Sequence, residues 1–295
     1  MDAYSYTSTD TMSHPHPGPD PPLSLLTTMD EAPTYPNHER STVRRLRDRA
    51  RYDFETVHAI FNAVSIVHVS FLPTDPSVDP FPTILPMIGA MGSFANPAAD
   101  PNTEPLDFYI HGHASSRLMK LPGSVLMEDH PEGLPVCVAA TLLDGLKLAL
   151  TPFNHSCNYR SAVLHGYANP VTDEDEKNWA MHRITDGLVP NRWNNSRVPP
   201  TKSELRTTSV LRITIASASA KVNSGPTGDD RKDLQNDDVT SRVWTGVLPV
   251  WEQIGPPAES KTNKVAPLPE YLSSWTKEQN TSRQEYALRA ALEKI

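Results

Sequence analysis

Apolar residues recur along this chain with two different periods. Across residues 41–63 they stand three or four positions apart, at Val43, Leu46, Ala50, Phe54, Val57 and Phe61. This spacing predicts one helix over 41–63, with Ser41 as its N-cap. A second helix is predicted over residues 172–188, where Thr172 precedes a run of acidic residues. A third is predicted after Pro269.

Elsewhere the apolar pattern is that of β-strands, which alternate or run continuously for four to eight positions. The segments with this pattern are residues 65–72, 81–90, 105–112, 135–143, 145–153, 159–171, 208–222 and 241–250. Asp144-Gly145 stands between two of them and predicts a tight hairpin turn. Many short strands and few helices predict a mainly β fold, a β-barrel with flanking helices, and disfavour a Rossmann-type sheet.

Composition predicts an N-terminal arm without regular structure and a cytoplasmic location. The chain has 29 prolines, and the first 40 residues predict an arm without regular structure, because proline lacks an N–H donor. The beginning of the chain shows no secretory pattern, and no apolar run reaches the roughly 18 residues of a membrane span. Two cysteines, Cys137 and Cys157, cannot build a disulfide framework. We therefore expect a cytoplasmic protein with no membrane partner.

Nucleic acid is not an expected partner either. The net charge is -8 at pH 7, whereas nucleic-acid-binding domains carry a basic surface. Five arginines stand between Arg44 and Arg51, but Asp48 and Asp53 lie among or beside them. This mixture favours a solvated, salt-bridged surface.

Candidate chemistry concentrates in "YIHGHASSRLMK", residues 109–120, where a predicted strand meets a predicted helix. The segment holds imidazoles, hydroxyls and cations: His111, His113, Ser115, Ser116, Arg117 and Lys120. Hydroxyls, a forked guanidinium and the free N–H groups of a helix start are typical of a phosphate site. Two imidazoles on one strand face, with His155 and His165 elsewhere, could instead bind zinc, although no zinc motif is present. A simple capped turn is the third interpretation.

A second polar cluster enters an apolar run at residues 153–166. It contains His155, Ser156, Asn158, Tyr159, Arg160 and Ser161. Arg160 and Ser161 point to opposite faces of the predicted strand, so one of them needs a partner inside the barrel, such as a cofactor. Ser156 directly follows His155 without a Gly-x-Ser-x-Gly elbow, which argues against a hydrolase. Trp244, in a late strand, is either a core residue or a platform for a planar ligand.

Taken in order, several motifs resemble the pyridoxamine 5′-phosphate oxidase-like superfamily of FMN-binding split barrels, nearest its nitroimidazole-resistance (Nim-like) branch. These are "RRLRDRA", "HGHASSRLMKL", "LLDGLKLALTPFNHSCNYRSAVLHGYANPVTDEDEK", "SASAKVNSGPTGDD" and "WTGVLPV", within residues 42–272. The resemblance implies a six-stranded antiparallel Greek-key split barrel, forming a homodimer with FMN between the subunits. The implied organisation is an arm (1–40), an FMN-binding domain (41–272) and a C-terminal helix (273–295).

The resemblance also implies a set of cofactor-binding residues. They are Thr83, Ile84, Leu85, His111, Gly112, Ser116, Arg117, Tyr159, Arg160, Ser161, Lys221 and Trp244, and the anion pattern adds Ser115 and Lys120. Many relatives have a small residue where this chain has His113, and a lysine where it has Leu118. One phosphate cation is therefore missing, and Lys120 is its candidate replacement.

The function implied is an FMN-dependent oxidoreductase acting on a small organic substrate. His111 or His113 would donate a proton, and Arg160 or Lys221 would stabilise negative charge on the flavin. One alternative is a haem-binding or haem-degrading split-barrel protein, with His111, His113 or His155 as axial ligand. The other is a flavin-nucleotide carrier, or a non-redox enzyme of a specialised pathway, on the same fold.

Overall fold

The computed structural model describes residues 32–73, 78–123 and 131–295. Most of the predicted N-terminal arm lies outside these ranges. The part that is described packs on the domain, because the buried Tyr35 ring stands edge-on to Phe54 with 4.7 Å between centroids. Its hydroxyl is 2.5 Å from Nε2 of His58.

Regular structure in the described residues consists of helices, from four to 23 residues long, around one sheet. The strands are β1 (Ala50–Arg51), β2 (Val67–Phe71), β3 (Thr83–Met87), β4 (Gly89–Gly92), β5 (Asp107–His113), β6 (Leu134–Leu148), β7 (Ser156–Pro170), β8 (Thr208–Asn223) and β9 (Gly246–Pro249). The α-helices are α1 (Phe54–Ala63), α2 (Arg117–Lys120), α3 (Glu174–Leu188), α4 (Lys202–Thr207), α5 (Arg231–Leu234), α6 (Asp237–Thr240) and α7 (Glu270–Leu292). Within the described ranges, no helix has both the length and the apolar composition that a membrane crossing requires.

The strands pair antiparallel in the order β3-β2-β6-β7-β8-β5-β4, with β1 added to β8 and β9 added to β6. The two outermost strands, β3 and β4, are separated in sequence by Ile88 alone, so the sheet must curl until its edges approach each other. The predicted mainly β fold with flanking helices is therefore confirmed. The predicted six strands are not, since the described ranges contain nine strands whose ladder does not close within them. The count differs because β1 and β9 are short additions and Ile88 interrupts one edge strand.

The core fills the inside of the curl. Alternate residues of the long strands are buried there, including Val67, Val69, Val136, Val138, Ala162, Leu164, Ile213 and Ala218. Helix α1 packs against them through Val57 and Phe61, and the Phe61 ring lies 5.4 Å from that of Phe108. Burial of this apolar surface is what holds the sheet in its curled form.

The predicted helix over 41–63 is wrong in its first half, since α1 begins only at Phe54. Its N-cap is Asp53, whose carboxylate accepts a hydrogen bond from the Thr56 N–H at 2.8 Å. The preceding residues are held elsewhere, with β1 paired to β8 and Leu46 in the left-handed region at φ 57°. Ser41 caps no helix, because its hydroxyl donates to the His38 carbonyl. An aspartate inside a periodic pattern thus marked the true start.

The predicted Asp144-Gly145 turn is also wrong. Strand β6 runs through both residues from Leu134 to Leu148, with an irregularity opposite β7 between Leu143 and Gly145. Asp144 is buried and accepts two hydrogen bonds from Arg160, at 3.0 and 2.7 Å. A distant cation therefore overrides the local turn preference of Asp-Gly.

Candidate functional site

Strand β5 delivers the predicted phosphate-binding segment to a corner of the sheet. The strand is paired on both sides, by β4 and β8, and it ends at His113. Helix α2 follows after Ser116, its N-cap, whose hydroxyl makes no capping hydrogen bond. Because α2 is a single turn of four residues, its dipole is weaker than the sequence pattern suggested. Anion affinity at this corner must come mainly from side chains.

A cavity of about 340 Å³, called here the corner cavity, opens beside this segment. Its lining comprises Leu85, Pro86, Met87, Ile88, His111, Gly112, His113, Ser116 and Leu118. The wall from β3 is apolar, while β5 and the start of α2 contribute the polar groups. This combination, an apolar cleft with a few convergent polar side chains, is typical of cofactor sites.

His111 is the half-buried polar group of the corner cavity. Its Nδ1 atom is buried and has no hydrogen-bond partner among the described residues. Burial lowers the pKa of this imidazole below its usual value, so the ring is held in its neutral form. A buried nitrogen without a partner is costly, and a bound ligand would relieve that cost.

His113 has a different arrangement, because its Nδ1 is occupied. The backbone N–H of Ser115 donates to it at 3.2 Å, and the Ser115 hydroxyl lies 2.7 Å away. A backbone N–H can only donate, so Nδ1 accepts and the proton of the neutral ring stands on Nε2. His113 therefore presents an N–H donor at the mouth of the cavity.

We expect the nitrogen spectrum of neutral His113 to show this tautomer. In protein labelled with ¹⁵N, heteronuclear NMR should find the proton on Nε2. Replacing Ser115 with proline removes the N–H donor, so the ring proton of His113 should then occupy Nδ1 as well as Nε2. A dominant Nδ1–H form in the unmodified protein would contradict the arrangement.

Arg117 ties the corner to the neighbouring edge strand. Its Nη2 donates to the hydroxyl of Thr83 on β3, and its guanidinium carbon lies 5.5 Å from the centroid of the Phe71 ring. Lys120 is exposed one helical turn further on. The guanidinium carries five N–H donors, so most of them stay available for an anion.

Gly112 lines the corner cavity, but packing explains why it is glycine. A β-carbon at this position would stand 2.9 Å from Cε of Met119, a buried core residue. We therefore predict that Gly112→Ala lowers the free energy of unfolding by about 1 kcal/mol, as the flexible methionine moves aside. Ligand binding should be retained. Urea denaturation measures the stability, and a parallel titration measures ligand binding. Normal stability together with lost binding would show instead that the ligand needs the space that the added methyl group occupies.

The structure brings together about half of the predicted cofactor-binding residues. Those at the corner are Thr83, Leu85, His111, Gly112, Ser115, Ser116, Arg117 and Lys120, together with His113. Ile84 belongs to the same strand but is 60% exposed. Sequence reasoning missed Phe71 and the apolar wall from Pro86 to Ile88, which no local chemical signal marks.

The remaining predicted site residues lie outside the corner cavity. Arg160 pairs with Asp144, and its guanidinium lies 3.6 Å from the centroid of the Tyr286 ring on α7. The Lys221 ammonium donates to the Arg45 carbonyl at 3.1 Å. Tyr159 and Ser161 lie on β7 beside Arg160, and Trp244 is 63% exposed. Within one chain, these residues and the corner form separate groups.

The histidines proposed as zinc ligands do not form a cluster in the described structure. His155 accepts a hydrogen bond at Nδ1 from the Ala149 N–H at 2.9 Å, and His165 lies on β7. No three His, Cys, Asp or Glu side chains within the described ranges are placed to hold a metal ion.

A curled antiparallel sheet with a cationic strand-to-helix corner defines a protein of the split-barrel class. The chain belongs to the pyridoxamine 5′-phosphate oxidase family, whose model matches residues 53–222. This confirms the resemblance to that superfamily. No curated protein matches the chain significantly.

Among the solved structures that resemble this chain, two are matched over nearly their whole length with TM-scores above 0.5. The flavocytochrome Anf3 from Azotobacter vinelandii is 32% identical, with 82% of this chain and 98% of that chain covered and a TM-score of 0.64. The FAD and haem binding protein from Mycobacterium smegmatis is 24% identical, with 77% and 96% covered and a TM-score of 0.59. The second likeness bears on the fold alone.

Proposed function

We propose that this protein is an FMN-dependent oxidoreductase acting on a small organic substrate, with the flavin phosphate at the Arg117 corner. The observation that carries the proposal is the corner cavity itself. It joins His111, whose buried Nδ1 has no partner among the described residues, to an apolar wall, and its lining residue Ser116 directly precedes Arg117. Membership of the family and the flavocytochrome relative support the same assignment.

The residues present fit a flavin nucleotide. Arg117 and the free hydroxyl of Ser116 supply charge-assisted hydrogen bonds for a phosphate, and Lys120 adds a second cation within one turn. Leu85, Met87 and other wall residues of β3 cover an apolar ring edge. His111 offers its buried nitrogen as a hydrogen-bond partner for a polar group of the ligand.

When bound, a flavin supplies the hydride or electron chemistry that no side chain provides. The chain's own contribution is position and proton supply. Arg117, held by Thr83, fixes the phosphate end and so the register of the whole ligand. His113 presents the Nε2–H group at the cavity mouth, where it can donate a hydrogen bond to the substrate, and in its imidazolium form it can act as a general acid.

We also propose that the protein works as a homodimer. The corner and the group around Tyr159, Ser161 and Lys221 are separate within one chain, and a second copy would bring them to one ligand. Apolar side chains exposed on the sheet offer a contact surface, among them Ile84 (60% exposed) and Leu248 (46%). Light scattering should give the mass of two chains.

Haem is the second candidate cofactor, because the relative that is 32% identical is a flavocytochrome. Haem-ligating histidines usually donate their other ring nitrogen to a neighbouring acceptor. His113 and His155 instead accept a backbone N–H at Nδ1, which leaves the proton on Nε2. Of the three histidines considered, His111 is the one whose neutral ring is not fixed in this way, so it is the proposed axial ligand.

The absorption spectrum of freshly purified protein tests the proposal. We expect the visible bands of oxidised flavin, and mass spectrometry of the released cofactor should identify FMN. A Soret band in addition would establish the haem candidate, and the released mass would distinguish FAD. Protein that carries no flavin and takes up none on titration would refute the proposed function.

A further inference from the structure

A row of polar side chains crosses the outer face of the sheet. Strand register places Ser70 on β2 opposite Cys137 on β6, and Cys137 opposite His165 on β7. His165 in turn stands opposite Ser217 on β8. Four adjacent strands thus contribute one row of functional groups.

Ser70, Cys137 and His165 of this row form the floor of a second cavity of about 330 Å³, called here the outer cavity. Its lining comprises Arg40, Ser70, Phe71, Leu72, Pro82, Pro135, Val136, Cys137, His165, Gly166, Tyr167 and Ala216. Most of these residues are apolar or small. The volume is near the lower end of the roughly 300–1,000 Å³ of small-molecule pockets, which suits a ligand of one or two rings.

The outer cavity is positively charged at one end. Arg40 donates from Nε to the Ser217 hydroxyl at 3.2 Å, and it forms no ion pair with a described carboxylate. Its two terminal nitrogens therefore stay available as a fork for a carboxylate. Glu132 lies close enough to the lining residue Tyr167 to raise the pKa of its hydroxyl.

The other titratable groups of the floor are uncharged. Burial raises the pKa of the Cys137 thiol, and burial together with Arg40 lowers the pKa of His165. A thiolate–imidazolium pair is therefore disfavoured, and Cys137 is not set up as a nucleophile. The Nδ1 atom of His165 is buried without a hydrogen-bond partner in the described structure, as a ligand-binding group would be before the ligand arrives.

We propose that the outer cavity binds a planar apolar ring system bearing a carboxylate, with the carboxylate on Arg40 and the ring against Leu72, Pro82 and Pro135. A single aromatic acid fits the volume, and a haem with its carboxylates has the same chemistry on a larger scale. The cavity adjoins the corner, because Phe71 lines it and also lies beneath Arg117, and Pro82 precedes Thr83. Assigning this ligand as the substrate of the flavin rests on the proposed function, whereas the binding site itself does not.

Calorimetric titration of the full chain with benzoate tests the site. We expect saturable binding that Arg40→Ala weakens roughly tenfold or more, since a charged hydrogen-bonding fork is lost. Ala216 is the unpaired residue of the bulge between β7 and β8, and Ala216→Leu should fill the cavity and block binding. The matched control is Arg242→Ala, which removes an exposed arginine just after the end of α6. This variant should bind benzoate as tightly as the unmodified protein does.

Haemin provides the second arm. A Soret shift on titration that His165→Ala abolishes, with no benzoate binding, would assign the ring system to haem. The proposal is overturned if neither probe binds, or if Arg40→Ala and Arg242→Ala bind equally well. Arg40→Ala keeps the test decisive even where Ala216→Leu does not fold.

Flavin content of the same preparations separates this inference from the proposed function. Protein that binds benzoate through Arg40 but takes up no flavin would refute the flavin assignment and leave the outer cavity intact. Flavin-loaded protein that binds neither probe would refute the outer cavity alone. If Arg40→Ala and Arg117→Ala lost flavin to the same extent, both arginines would belong to the flavin site. That result would contradict a separate ligand in the outer cavity.

Discussion

Replacing Arg117 with alanine is expected to weaken FMN binding roughly 10- to 100-fold. Hydrogen bonds to a charged group contribute about 1.5–3 kcal/mol, and each 1.4 kcal/mol corresponds to about a factor of ten in affinity. Arg117 is also anchored by Thr83 and supported by Phe71, so its fork meets the phosphate with little loss of side-chain freedom. Fluorescence titration of the apoprotein with FMN measures the change.

Two further variants make the Arg117 result specific. Arg117→Lys keeps the charge but loses the planar fork, so it should bind with intermediate affinity. Arg242→Ala removes an arginine that is 66% exposed and far along the chain, and it should leave FMN affinity unchanged. Equal affinity of Arg117→Ala and the unmodified protein would remove the phosphate from this corner.

Replacing Arg160 with alanine is expected to destabilise the fold by about 3 kcal/mol or more. Its partner Asp144 has a side chain only 6% exposed, and removal of the guanidinium leaves that carboxylate buried without compensation. The contact with Tyr286, at 3.6 Å from guanidinium carbon to ring centroid, is lost as well and loosens the docking of α7. Chemical denaturation followed by circular dichroism gives the change in unfolding free energy.

The control for Arg160 is an exposed pair of the same chemistry. Arg44 lies 2.6 Å from Glu39, but their side chains are 69% and 87% exposed, so Arg44→Ala should change stability by less than about 1 kcal/mol. The folded fraction of Arg160→Ala should still bind FMN, because the Arg160 guanidinium is engaged by Asp144 and Tyr286 rather than held free for a ligand. If Arg160→Ala kept its stability but lost FMN binding, Arg160 would be a cofactor ligand, as the sequence predicted.

The sequence located most of the β-strands and two of the three predicted helices, since α3 spans Glu174–Leu188 and α7 begins at Glu270. Strands β2, β5, β7 and β8 fall within or close to the predicted segments, because alternating burial leaves a direct trace in the apolar pattern. The helix start at Asp53 and the bulge at Asp144 were misread. Both aspartates act through partners: Asp53 caps the Thr56 N–H, and Asp144 holds an arginine on the next strand.

The part of the candidate site that the sequence predicted is the part whose residues lie close together in the chain. One short segment contains His111, His113, Ser116 and Arg117, so the sequence alone predicted their shared chemistry. The wall on β3 and the support from Phe71 are distant in sequence and apolar, and only the curled sheet brings them to the corner. Arg160 has the chemistry of a cofactor ligand, but the register of β6 and β7 gives it a protein partner instead.

The most direct test compares FMN with riboflavin, which lacks the phosphate, in the unmodified protein and in Arg117→Ala. If Arg117 grips the phosphoryl group, the unmodified protein binds FMN at least roughly tenfold more tightly than riboflavin, and Arg117→Ala binds the two alike. Equal affinity of the unmodified protein for both flavins, or a preference for FMN that survives in Arg117→Ala, would contradict the assignment of this corner.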